Sequence, residues 1–209
     1  MNRKAVGLAS SLAILVLGAC ASTSTASNTN APVAQASASP SAQRSAVQTT
    51  TDPCQVVTQS EASQLAGTSY GAGTEDTTAG GSKICWYGAQ TLNVFEVLVA
   101  TAPSATAAKA EWDQEKSQVQ TQLQKASSVP GLTFTINISD TTLSGADRAA
   151  VGTFSETYQG HTISASALYL LKGAIFLAIV DLVVDHPAPI TTAMESEGQT
   201  ALGRLPQLP

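Results

Sequence analysis

The sequence predicts an α+β domain, a mainly antiparallel sheet with helices packed on one face, in the rough order α-β-β-α-β-β-β-β-α. Three observations carry this expectation. Between residues 83 and 184, several apolar or alternating runs have strand length and are bounded by Gly, Pro and polar clusters. Three segments open with helix-capping chemistry: Thr58 with Glu61, Ser104 after Pro103, and Thr192 with Glu195. Two long apolar strands meet at Lys172-Gly173, a hairpin signal that makes neighbouring strands antiparallel.

Asp52-Pro53-Cys54 leads into Val56 and Val57, and Thr58 and Glu61 can then satisfy each other's free backbone donors in a capping box. The short helix that follows should end at Gly67, which suits a left-handed cap, and bury Leu65 with Val56 or Val57. After a Gly-rich loop, Lys83–Tyr87 reads as a strand, and Leu92 to Ala100 as an apolar strand interrupted by Glu96. Pro103 marks the turn into a helix reaching about Ala126. Its stripe of Trp112, Val119 and Leu123 faces inward, and Lys109, Asp113, Glu115 and Lys116 lie nearer water. After Val129-Pro130-Gly131, the residues Leu132, Phe134, Ile136 and Ile138 alternate with Thr133, Thr135 and Asn137, a strand with one buried face. Ala149 to Tyr158 forms the next strand, Ile163 to Leu171 and Ala174 to Val184 the hairpin. Pro187 and Pro189 end it, and a last helix capped by Thr192 buries Ile190, Met194, Leu202 and Leu205.

Leu92–Gln114 and Ala174–Ser196 share a form: an apolar strand, a proline-marked turn and a returning helix. Their residues hardly match, which leaves a distant duplication or two solutions to one packing problem. Within the last strand, Phe176, Ala178, Val180, Leu182 and Val184 point one way, and Ile175, Leu177, Ile179 and Asp181 the other. Both sets are apolar apart from Asp181. With helices on one face only, the second set would form a ligand or docking face unless the protein itself covers it; Ala165 and Ala167 on the neighbouring strand leave room.

The amino terminus has signal-peptide layout: Asn2-Arg3-Lys4, then an apolar run from Ala5 to Leu17. As a helix that run spans only about 20 Å, short of a bilayer core. Leu17-Gly18-Ala19-Cys20 resembles the lipobox of bacterial lipoproteins, which implies cleavage before Cys20 and its lipidation. Residues 1–19 are then the signal peptide. Residues 20–51 are a lipidated Cys20 and a Ser/Thr/Ala-rich tether whose only charge is Arg44, too polar to bury a core. Residues 52–209 form a single extracytoplasmic domain.

Losing Arg3 and Lys4 leaves eight Lys and Arg against fifteen acids, so the charge goes from −5 to −7. Nucleic acid is not expected as a partner, because phosphate binding needs clustered bases. The membrane, reached through the lipid anchor, is expected as one. Cys54 and Cys85 remain and should pair in an oxidising compartment, with Trp86 and Tyr87 packed beside the bond. In the loop-entropy account, a loop of about thirty residues closed this way is worth roughly 3–4 kcal/mol.

Asp52-Pro53-Cys54, Val56-Val57-Thr58, Glu61-Ala62, Leu65-Ala66-Gly67 and then Cys85-Trp86 together resemble a group of actinobacterial cell-envelope lipoproteins of a domain-of-unknown-function family. Gly145 to Ala150 and the hairpin at Lys172-Gly173 are looser echoes of it. The resemblance implies an extracytoplasmic lipoprotein and no established reaction.

Enzyme chemistry is not expected: His161 and His186 lie outside nucleophile and metal motifs, and Asp185 and His186, adjacent in sequence, point apart. No catalytic residue, metal or cofactor is expected. Glu96 and Asp181, acids in apolar strands, are the candidates for a perturbed pair. The reading that follows is a non-enzymatic module binding a small apolar ligand or an envelope component. An accessory subunit docking on another envelope protein is the alternative, and a hydrolase ranks third.

Overall fold

The computed structural model describes residues 51–78, 80–88, 91–126, 133–158, 160–188 and 190–206, without the side chains of 120–126, 133, 134 and 158. The expected signal peptide, Cys20, the tether as far as residue 50, the turn at 129–132 and the Leu123 and Phe134 side chains lie outside the described residues.

Helix α1 (Pro53–Val56) is one turn, opened by the Asp52 carboxylate, which accepts the Cys54 N–H at 2.8 Å; Pro53 occupies the first position, where no N–H is needed. Helix α2 (Gln59–Ala66) carries the expected capping box of Thr58 and Glu61 and ends at Gly67 with φ 64°. Strands β1 (Thr74–Thr77), β2 (Lys83–Tyr87) and β3 (Val94–Thr101) follow, then helix α3 (Ala105–Ala126). Ser104 caps α3 by accepting the Ala107 N–H at 3.1 Å. Strands β4 (Thr133–Thr141), β5 (Arg148–Tyr158), β6 (His161–Lys172) and β7 (Ile175–Val184) complete the sheet, and helix α4 (Thr191–Arg204) closes the chain.

Among the described residues, seven strands form one antiparallel sheet in the order β1-β2-β3-β7-β6-β5-β4. The α+β class and the expected succession of helices and strands are present. The additions are α1 and β1, where Thr74-Glu75-Asp76-Thr77 forms an exposed edge without an apolar residue.

The helices divide between the two faces instead of sharing one. On the disulfide face, Cys85, Tyr87, Phe95, Val97, Leu168, Leu170, Leu177 and Ile179 pack with Val56 at the end of α1 and Val57 after it, Ala62 of α2, and Met194, Ala201 and Leu202 of α4. On the opposite face, α3 sets Ala108 and Trp112 against Ala150, Leu171, Tyr169 and Phe176. A two-fold axis relating antiparallel β3 and β7 stands perpendicular to the sheet and would put both following helices on one face. Helices α3 and α4 sit on opposite faces, so the shared form of the two halves is not one unit repeated by that rotation.

Two local expectations change. No side chain caps α4; Glu195 instead accepts the Thr141 hydroxyl at 2.6 Å, and Ile190 is 71% exposed rather than buried. The C-terminal end of α4 is held by Lys172, whose ammonium donates to the Leu202 and Leu205 carbonyls, and by Arg204, which pairs with Glu61 and donates to the Val56 carbonyl.

Candidate functional site

Cys54 and Cys85 are bonded, as expected. Strand alternation puts Tyr87 beside them, its hydroxyl donating to the Val57 carbonyl at 2.6 Å, and burial and nearby acids raise that phenol to about 12. A Cβ on Gly73 would strike both sulfurs and the Tyr87 ring, so glycine backbone lies directly over the bond. Trp86, expected beside the disulfide, is turned to the other face by the same alternation and stands half-buried opposite Glu96.

Ile175, Leu177, Ile179 and Asp181, the expected ligand or docking face, lie at 0–1% exposure in the main core. Three helices and the disulfide segment cover them, which the assumption of a single helical layer had missed. The Asp181 Oδ1 accepts the Tyr70 hydroxyl at 3.1 Å, while its Oδ2 is buried without a hydrogen-bond partner among the described residues. Burial raises Asp181 to about 6, and the Tyr70 bond opposes that rise.

Glu96 and Asp181 do not form a pair. The register sets Phe95 opposite Asp181 and Glu96 opposite Val180, so the two acids occupy opposite faces of the sheet. Glu96 is itself 4% exposed, its Oε2 has no hydrogen-bond partner among the described residues, and burial raises it to about 7.

The Glu96 face is the less protected one. Helix α3 packs there on β6 and β7, around Leu171, Tyr169 and Phe176. Across the rest of it, Ile84 and Trp86 on β2, Val94 on β3, Val180 on β7 and Ile163 on β6 are apolar and only half-buried. Between them Leu98, Ala178 and Leu182 are buried, Ala178 lying between Leu98 and Tyr169, while Ala167 and Ala165 on β6 stand opposite Val180 and Leu182. Around them stand Trp86, Tyr169 and Phe176, with the Tyr169 and Phe176 rings 6.4 Å apart and those of Trp112 and Phe176 5.8 Å apart. The Tyr169 phenol is raised by burial and then by the charges of Glu96 and Glu115. The half-buried apolar side chains of this face, with aromatic rings among them, are the surface an apolar partner or ligand would meet.

One pairing was missed by reading neighbours in sequence. His161 Nδ1 lies 2.8 Å from Asp185 Oδ2, and Asp185 Oδ1 accepts the Thr162 N–H at 2.9 Å. Those bonds hold the Asp185 carboxyl below its usual range, the His161 contact most. Both side chains are exposed at the open end of the β6–β7 hairpin, and Asp185 has φ 58°. Among the described residues, no group of three or more His, Cys, Asp and Glu is placed to hold a metal ion, and no helix is long and apolar enough to cross a membrane.

Compared with known proteins, the chain matches no family model and no curated protein.

Proposed function

We propose that the chain is a membrane-anchored extracytoplasmic lipoprotein whose domain is a non-enzymatic binding module, taking a small apolar ligand or envelope component on the Glu96 face. The observation that carries this reading is the mismatch between the two faces. One is covered by three helices that bury its apolar residues, while on the other Ile84, Trp86, Val94, Ile163 and Val180 are left only half-buried. The lipobox-like Leu17–Cys20 and the polar tether support placement outside the membrane, with two acyl chains as a stable anchor.

Native mass spectrometry of the full chain, purified gently from the cells that make it, tests this reading. A reproducible bound mass that organic extraction removes is the expected result. A clean apo monomer that cross-links to another envelope protein through Trp86 or Ile84 would overturn the ligand reading in favour of docking.

A further inference from the structure

Residues 68–73 join α2 to β1 and belong to neither. One side chain pins them to the disulfide face. Tyr70 is buried, with its hydroxyl donating to Asp181 Oδ1 at 3.1 Å and its ring 6.4 Å from that of Tyr87 and 6.3 Å from that of Phe95. Its backbone N–H donates to the Ser63 hydroxyl at 3.0 Å and its carbonyl accepts the Gln59 side-chain amide at 2.8 Å, so α2 grips the same residue. Further along, Gly73 rests on the disulfide: an added Cβ would lie 2.5 Å from the Cys85 sulfur and 2.9 Å from that of Cys54. Cys85 is itself buried.

Beyond Tyr70 the segment is held lightly. Gly71 and Ala72 are exposed, and β1, which follows, is a short edge strand with every residue exposed. Lifting residues 71–77 therefore uncovers little apolar surface, and the resistance is concentrated at Tyr70, whose release breaks a buried hydrogen bond and bares an aromatic ring. Thiol–disulfide exchange needs a thiolate in contact with a sulfur, so its rate follows access to the bond.

We propose that residues 68–73 are a strap that gates the Cys54–Cys85 bond, fastened by Tyr70 to Asp181, so that a thiol reaches the sulfurs only when Tyr70 lifts. In that exchange a thiolate bonds to one sulfur, the S–S bond breaks and the other cysteine leaves as thiolate. The second thiol of a dithiol reductant then displaces the first cysteine, and the reductant ends as the oxidised disulfide after giving up two electrons. The strap makes the tie between α1 and β2 durable, and it gives the buried Asp181 a task as the anchor of the cover.

The test adds dithiothreitol to the full-length chain at about pH 8, where part of its thiol is ionised, and follows alkylation of Cys54 and Cys85 by mass spectrometry of their peptides. The native chain is expected to be reduced about a hundredfold more slowly than the chain in denaturing urea. Tyr70→Phe, which removes the anchoring bond, and Gly73→Ala, which pushes the strap off the sulfurs, should each speed reduction of the native chain about tenfold, and either variant suffices if the other fails to fold. Gly71→Ala, whose Cβ would meet nothing within 4 Å, should change the rate by less than about twofold. So should Gly198→Ala, which strikes the Leu168 side chain under α4 and weakens the fold without touching the strap. A Gly198→Ala rate as fast as that of the strap variants means that the bond is reached by unfolding of the whole chain, which overturns the gate. Strap variants no faster than wild type, or a native chain reduced as fast as the unfolded one, overturn it as well.

Discussion

Glu96 and Asp181 are acids inside an apolar sheet, raised by burial from 4.5 to about 7 and from 3.8 to about 6. Both folded values exceed the unfolded ones, so the folded chain holds protons that the unfolded chain gives up. The stability this confers is complete below about pH 4 and is lost as pH rises through 6 and 7. Glu61, lowered to about 2 chiefly by its hydrogen bond to Arg204, acts in the opposite sense but only below about pH 4.5. Melting temperature should therefore fall between pH 5 and pH 8. D181N and E96Q should each flatten that slope and raise stability at pH 8 by on the order of 1–3 kcal/mol. Melting curves that coincide across the range would contradict the assignment. D181N retains an acceptor for the Tyr70 hydroxyl, whereas D181A strands it and should destabilise.

Helix α4 is seated on the sheet through Gly198, where an added Cβ would collide with the buried Leu168 side chain. Gly198→Ala should cost about 1–3 kcal/mol in chemical denaturation, more than helix propensity returns. Thr58→Ala, removing the capping box, should cost about 1 kcal/mol, and the C54S/C85S double variant about 2–4 kcal/mol. The elements themselves were legible because their signals are local: the alternation of Ile136 and Ile138 with Asn137, the box at Thr58, the cap at Ser104. Strand β1 was not, since Thr74-Glu75-Asp76-Thr77 buries nothing and pairs only because β2 offers an edge. Which of the two sets on β7 is covered was not legible, because β7 is apolar on both faces and the answer depends on where α1, α2 and α4 land, a long-range outcome. Glu96 and Asp181 stood out singly as acids in apolar runs, but only the β3–β7 register reveals that they face apart. The His161–Asp185 contact could have been found by counting outward from the Lys172↔Ile175 pair, which brings Thr162 beside Asp185.

At the scale of the whole molecule, one covered face gives the domain its core and the less protected face is the one proposed to receive a ligand, while the proposed anchor at Cys20 would set where that face is displayed. Cys20→Ala should abolish incorporation of labelled palmitate and move the protein from the membrane to the soluble fraction, measured by fractionation. Retention in the membrane would remove the anchor from the account. The central claim is that the Glu96 face, and not the disulfide face, receives an apolar ligand. The chain has two tryptophans, so Trp112→Phe makes Trp86 the sole reporter on that face. In this variant, adding dodecanol as an apolar probe should shift Trp86 emission to shorter wavelength and shield it from acrylamide. A ligand seen bound by native mass while Trp86 emission and quenching stay unchanged would place the binding site elsewhere and contradict the account.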